Sequence, residues 1–318
     1  MELTIILPII ISFAVSAVSG PFVIREMRRL KAAQTERVEG VESHLKKAGT
    51  PTMGGIMILL GIIVTSLIFL PGRKEIIPVL FLTIAFGAIG FLDDYLKVVL
   101  RRSDGLLPRQ KLILQFAAAV VFWLILRGTG ISLELMLPFG GGRLYDIGWA
   151  ALPLMLVALL ATVNGVNFTD GLDGLASSVT IVVAAFFMIA ALRLHSGVSP
   201  AAGAVIGALM GFLLYNAYPA KIFMGDTGSL ALGGFVAGVA YVLHMPLFIL
   251  IAGFVYAFEL ISVALQVSYF KLTHGKRIFK MTPIHHHFEL CGWSETRIVT
   301  VFTIISVILC MISMIHAL

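Results

Sequence analysis

Lys221-Ile222-Phe223-Met224-Gly225-Asp226-Thr227-Gly228-Ser229 is a polar island between two apolar runs, 201–218 before it and 230–243 after it. Gly225 and Gly228 allow a tight or left-handed backbone and the close approach of a ligand. Thr227 and Ser229 are expected to cap the helix formed by the following run. The free N–H groups of that helix end suit an anion, and Asp226 suits a hard cation such as magnesium. The competing reading is an ordinary polar turn with a solvated or capping Asp226. The rest of the chain decides between them.

Composition excludes a soluble globular domain. Of 318 residues, 59% are hydrophobic and 13% charged, where soluble chains carry about 25% charged residues; the mean hydropathy is +1.00. Apolar runs long enough to cross a bilayer recur along the chain. The expected fold is an all-α polytopic membrane protein forming one domain over 1–318. The first apolar run has no small-residue cleavage pattern and is expected to remain as a span. Two cysteines, Cys291 and Cys310, suggest no disulfide framework.

Ten transmembrane helices are expected, at 3–24, 53–70, 76–92, 112–126, 149–163, 175–192, 201–218, 230–243, 247–270 and 298–315. No internal repeat is apparent, which counts against an inverted-repeat transporter. The odd-numbered loops carry eighteen Lys and Arg and the even-numbered loops five. That imbalance puts the odd loops in the cytoplasm and both termini on the outer face. It also assigns the net charge of +6 to membrane topology, with no nucleic-acid partner. The fourth loop, 128–148, contains three consecutive glycines and is expected to form a small outer hairpin.

The aspartates then fall into place. Asp93, Asp94, Asp170, Asp173 and Asp226 all lie at cytoplasmic ends of spans. The positive-inside rule explains cations there, but not paired acids. A shared metal and polyphosphate site explains both. Asp93 and Asp94 point about 100° apart on a helix, so both need not face one ligand; a solvated helix end is the alternative. Asn167, Asp170 and Asp173 share a face if helical, and Asp173 is placed to cap the sixth span; a Gly-rich turn is the plainer reading. Lys111, one turn into the fourth span, opposes the helix dipole and needs carboxylates or phosphate to compensate it. Phe223 suits either stacking on a planar base or an apolar contact. Glu259 is an intramembrane charge, functional by default, with a buried hydrogen bond as the comparable explanation. His285, His286 and His287 are proton carriers or phosphate ligands, since three consecutive residues do not easily reach one tetrahedral zinc.

Five motifs occur in order along the chain: GTPTMGG at 49–55, FLDDYLK at 91–97, NGVNFTDGLDGLA at 164–176, NAYPAKIFMGDTGSLALGG at 216–234 and PIHHHFE at 283–289. Together they resemble the phospho-N-acetylmuramoyl-pentapeptide transferases, within the polyprenyl-phosphate N-acetylhexosamine-1-phosphate transferase superfamily, with no departure at these motifs. The resemblance implies ten spans, external termini and an active site at the cytoplasmic face of a bacterial inner membrane. It implies that UDP-N-acetylmuramoyl-pentapeptide and undecaprenyl phosphate give lipid I and UMP with magnesium, in a homodimer. By motif, Asp226 is the magnesium ligand, Asp93 and Asp94 the catalytic pair, and Lys111 the essential lysine beside them. Asn167, Asp170 and Asp173 match functional polar positions; Gly171, Leu172, Asn216 and Phe223 match the uridine pocket. Lys47 matches a substrate-binding lysine, and His285, His286 and His287 a catalytic motif close to the substrate. Direct attack by the lipid phosphate and a covalent phosphoryl-aspartate both remain open. Two other functions stand against this one: a related transferase with another UDP-sugar, and a membrane transporter using Glu259 and the aspartates as a relay.

Overall fold

The computed structural model describes residues 2–30, 49–100 and 105–317. Lys47 lies outside them. Twelve helices are described: α1 (Glu2–Arg29), α2 (Gly55–Phe69), α3 (Ile76–Val98), α4 (Pro108–Thr129), α5 (Ala151–Thr169), α6 (Leu175–Arg193), α7 (Ser199–Asn216), α8 (Gly225–Val242), α9 (Ile249–Ala252), α10 (Phe254–Leu272), α11 (Ile284–Glu289) and α12 (Glu295–Ala317). Among the described residues eight helices are long and apolar enough to cross a membrane: α1, α3, α4, α5, α6, α7, α10 and α12. The protein is a polytopic helical membrane protein. The expected hairpin in the fourth loop is present as β1 (Leu135–Met136) and β2 (Leu144–Tyr145), paired antiparallel with Leu135 opposite Tyr145.

The bundle is organised around α8, whose residues are buried without a break from Thr227 to Val242. α3 and α5 pack along it, and α2 crosses its start; α1, α6 and α2 gather around α7, and α12 lies against α6. α8 is not the most apolar helix. Five of its eighteen residues are glycine, because lipid supplies no hydrophobic drive between helices and close backbone approach must hold them together. The reverse holds for α12, the most apolar of the eight and largely uncovered by protein. Hydropathy alone does not sort the helices by burial: α6 is nearly as apolar as α12 and lies mostly within the bundle, while α10 is among the least apolar and lies mostly outside it.

Three expectations about helix ends change. α8 begins at Gly225 rather than Leu230, so Thr227 and Ser229 lie inside the helix and do not cap it. α6 begins at Leu175 with Gly174 at its N-cap, at φ +78°; that left-handed backbone favours glycine over Asp173. α5 ends at Thr169, so of Asn167, Asp170 and Asp173 only Asn167 is helical. The ninth run is not one helix either: it breaks at Gly253 between α9 and α10.

Candidate active site

The site is built where α3 meets the start of α8. Glycine makes the contact possible: a methyl group on Gly90 of α3 would overlap the Asp226 carbonyl oxygen, and one on Gly55 of α2 would overlap the Gly228 backbone. With the backbones this close, Asp94 reaches the α8 terminus. Its Oδ1 accepts from the Asp226 N–H at 3.1 Å; its Oδ2 accepts from the Thr227 N–H at 2.8 Å and the Thr227 hydroxyl at 2.6 Å. The α8 N-cap residue, Met224, provides no side-chain cap. Asp94, buried on another helix, satisfies the orphan N–H groups instead and complements the positive end of the helix dipole.

Asp93 points elsewhere, as the helical angle between neighbours requires. Its Oδ2 accepts from Lys97 Nζ at 2.7 Å and its Oδ1 from the Leu106 N–H at 2.7 Å. Lys111 Nζ lies 3.5 Å from Asp93 and 2.9 Å from Asp226 Oδ2; Lys97 Nζ lies 3.4 Å from the same Asp226 oxygen. The compensation expected for Lys111 is thus provided by carboxylates. Asp226 Oδ1 accepts from Asn167 Nδ2 at 2.8 Å, and Asn167 also reaches Ser229 Oγ at 2.8 Å. Four helices, α3, α4, α5 and α8, bring together two ammonium groups, two carboxylates and the Asn167 amide. Lys97 was not singled out by sequence reasoning. The usable signal was its i, i+4 spacing from Asp93.

Asp170, just past the end of α5, is different. Its carboxyl has no hydrogen-bond partner among the described residues. Desolvation, then the nearby carboxylates of Asp226, Asp94 and Asp173, push its pKa well above the usual carboxylate range. Such a group takes up a proton or a cation.

The remaining predicted residues form an adjoining layer. Asp173 Oδ2 accepts from the Ala220 N–H at 2.8 Å, while the Asp173 N–H donates to Glu295 Oε1 at 2.6 Å. Asn216 Oδ1 accepts from the Gly174 N–H at 3.0 Å, and its Nδ2 donates to the Ile222 carbonyl at 3.0 Å. Both side chains tie the 170–174 loop to the segment entering α8. Leu172, within that loop, is buried. Phe223 is half-buried and joined through its backbone to Pro51 and Gly54, each at 2.8 Å.

The three histidines do not act on one point. His285 Nδ1 pairs with Glu259 Oε1 at 3.1 Å, both residues fully buried; His286 Nδ1 pairs with Glu289 Oε2 at 2.7 Å; His287 Nδ1 accepts from the Lys280 N–H at 3.1 Å. The buried-hydrogen-bond reading of Glu259 therefore has a named partner. The His285 ring lies against Gly171, where a methyl group would overlap Nε2, so Glu259 supports the 170–174 loop through His285. Glu259→Leu should cost about 2 kcal/mol of stability by leaving the buried His285 ring without its hydrogen-bond partner. Glu259→Gln keeps an acceptor oxygen and should cost less than half as much. Thermal unfolding in detergent distinguishes these; equal losses would remove the hydrogen bond from this account.

Among the described residues no three His, Cys, Asp or Glu converge as a ready-made metal cage. Magnesium does not require one: it takes one or two carboxylates, keeps several waters and completes its shell from phosphates. Asp226 together with the unbonded Asp170 carboxyl fits that requirement.

The comparisons with known proteins agree with the motifs. A family model described as glycosyl transferase family 4 matches residues 76–244. A phospho-N-acetylmuramoyl-pentapeptide-transferase signature matches residues 47–59. The chain is 50% identical to the phospho-N-acetylmuramoyl-pentapeptide-transferase of Clostridium botulinum (strain Alaska E43 / Type E3), over 98% of this chain and 96% of the relative. Identity to the same-named protein of Caldicellulosiruptor bescii is 47%, over 99% and 98%. For that of Bacillus subtilis (strain 168) it is 47%, over 95% and 94%.

Proposed function

The chain belongs to the phospho-N-acetylmuramoyl-pentapeptide-transferase family, and on that premise we propose that it moves this group from UDP-N-acetylmuramoyl-pentapeptide to undecaprenyl phosphate, giving lipid I and UMP. The observation that carries this reading is the lysine–carboxylate network joining Asp93, Lys97, Lys111 and Asp226 at one end of the bundle. We infer ten spans, with α2 and α8 added to the eight long apolar helices. The termini face outward and the network faces the cytoplasm of the bacterial inner membrane, in a homodimer. The Lys and Arg distribution supports that orientation. It puts the network where a cytosolic nucleotide sugar and a membrane-anchored phosphate can meet.

Both reactants are anionic, so the site must first offset their repulsion. Lys97 and Lys111 supply fixed positive charge beside the reacting phosphates. Asp226 and Asp170 would hold magnesium, which neutralises charge on the β-phosphate and the departing UMP. The acceptor's second phosphate ionisation lies near pH 6, so at neutral pH it is largely dianionic and needs no strong base. One of its oxygens attacks the β-phosphorus, a P–O bond to the lipid phosphate forms, the bond to UMP breaks, and UMP leaves with the electron pair. Direct attack is favoured over a phosphoryl-aspartate because both oxygens of Asp93 and of Asp94 already accept hydrogen bonds within the protein. Asp173, Asn216, Gly171, Leu172 and Phe223 form the uridine-binding layer, with Asp173 and Asn216 acting by holding the loop. Lys47, His286 and His287 serve the donor's phosphate and sugar side, and the buried His285 acts through the 170–174 loop.

The experiment is a detergent assay with undecaprenyl phosphate and either UDP-N-acetylmuramoyl-pentapeptide or UDP-N-acetylglucosamine, reading UMP with and without magnesium. UMP should appear with the muramoyl donor and magnesium, and fall to background with chelator. UMP from the glucosamine donor alone would assign the chain to the related transferases. UMP from neither would reopen the transporter reading.

A further inference from the structure

We propose that the groove between the last turns of α1 and the end of α7 is a binding site for the phosphate of an anionic membrane lipid. The groove holds about 550 Å³, within the range of small-ligand sites. Its floor is Pro21, Ile24 and Tyr215, and its rim carries four cations: Arg25, Arg28, Arg29 and Lys221. None of the four belongs to the lysine–carboxylate network.

Local sequence explains part of this arrangement. Basic residues in the final turn of α1 suit the helix dipole, and the positive-inside rule favours them beside a span. Neither explains why Lys221, from the loop before α8, comes to the same groove. That convergence is built by tertiary contacts. The Tyr215 ring lies against Gly20, where a methyl group would overlap it, and its hydroxyl donates to the Ala17 carbonyl at 2.8 Å. The Lys221 N–H donates to the Tyr215 carbonyl at 2.7 Å, which holds Lys221 at the rim.

The charges are also unbalanced. Glu26 serves Arg25 at 3.5 Å and Arg29 at 3.3 Å. Arg28 and Lys221 have no carboxylate partner among the described residues. Among the described residues four cations share one acid, and the groove is large enough for a headgroup. Guanidinium groups match phosphate oxygens through paired hydrogen bonds. The apolar floor and the lipid-facing flank of α1, with Val18 79% and Phe22 59% exposed, suit a molecule whose phosphate continues into acyl chains. A soluble anion has no use for that flank, which favours the lipid as the source.

The test is native mass spectrometry of the full-length protein in detergent, with phosphatidylglycerol or phosphatidylcholine added. The wild type should retain phosphatidylglycerol in preference. Arg28→Gln with Lys221→Gln should lower that retention about 10-fold. Lys276→Gln with Arg277→Gln removes two cations outside the groove and should leave retention within about 2-fold. Lys221→Gln alone, a loop substitution, provides the same comparison should the double variant fold poorly, and its expected loss is about 3-fold. Equal retention in the groove variants, or an equal loss in the control pair, would overturn the site. Displacement of the lipid by millimolar inorganic phosphate would overturn the lipid as its ligand.

Discussion

Asp226→Asn should lower transfer by about 10³-fold or more while the helix bundle still folds. Asp226 is the common acceptor for Lys111 at 2.9 Å, Lys97 at 3.4 Å and Asn167 at 2.8 Å. Asparagine has nearly the same shape but no charge. It loses the charge that holds both ammonium groups and that, on the proposed function, would hold magnesium. The fold is spared because the contact that joins α3 to α8 uses the Asp226 backbone N–H, which Asp94 still accepts. UMP release at saturating magnesium, paired with a thermal unfolding curve, reads both parts. Near wild-type turnover would refute the metal role, and collapse of the fold would show that the side chain's charge holds the bundle together.

Gly90→Ala should have a comparable effect by a different route. The added methyl would overlap the Asp226 carbonyl oxygen, a backbone atom that cannot swing aside. α3 must then move away from α8. Overpacking of this kind costs about 1–3 kcal/mol, and a shift near 1 Å at reacting groups costs about 10²-fold in rate. The Asp94–Thr227 bonds and the spacing of Asp93 from Asp226 would be lost together. Gly128→Ala is the matched control: no neighbour lies within 4 Å of its added methyl, and alanine is the better helix former. Turnover and thermal midpoint should fall for Gly90→Ala and hold for Gly128→Ala. Equal behaviour would remove close glycine packing from the account of the site.

Much of the site was legible because its chemistry resists the composition around it. Carboxylates at the ends of apolar runs stand out in a chain with few charges, and Asp93, Asp94, Asp170, Asp173 and Asp226 were all found this way. Lys111 was found through its conflict with the helix dipole, and Glu259 through its place inside an apolar run. Their partners were not legible. Asp94 as the cap of α8 is a contact between residues 133 apart in the chain, and no local pattern reports that. The same limit hid Lys97, which looks like an ordinary cytoplasmic cation until Asp226 is placed beside it. It also misdirected the capping of α8: Thr227 and Ser229 have the right chemistry, and only Asp94 arriving from α3 lets the helix begin at Gly225.

By itself the sequence determined that this is a polytopic helical membrane protein. Apolar runs in a bilayer have no alternative to satisfying their backbone internally, and that is a local property of each run. It also singled out the residue types that the candidate site brings together, because buried charge is too costly to persist without use or partner. Only the tertiary structure decided which carboxylate caps, which holds lysine and which is left unbonded. Helix pairing in lipid is set by the fit of glycine-bearing surfaces such as Gly90 against Asp226 and Gly55 against Gly228. That fit depends on distances between helices far apart in the chain, which no single run encodes.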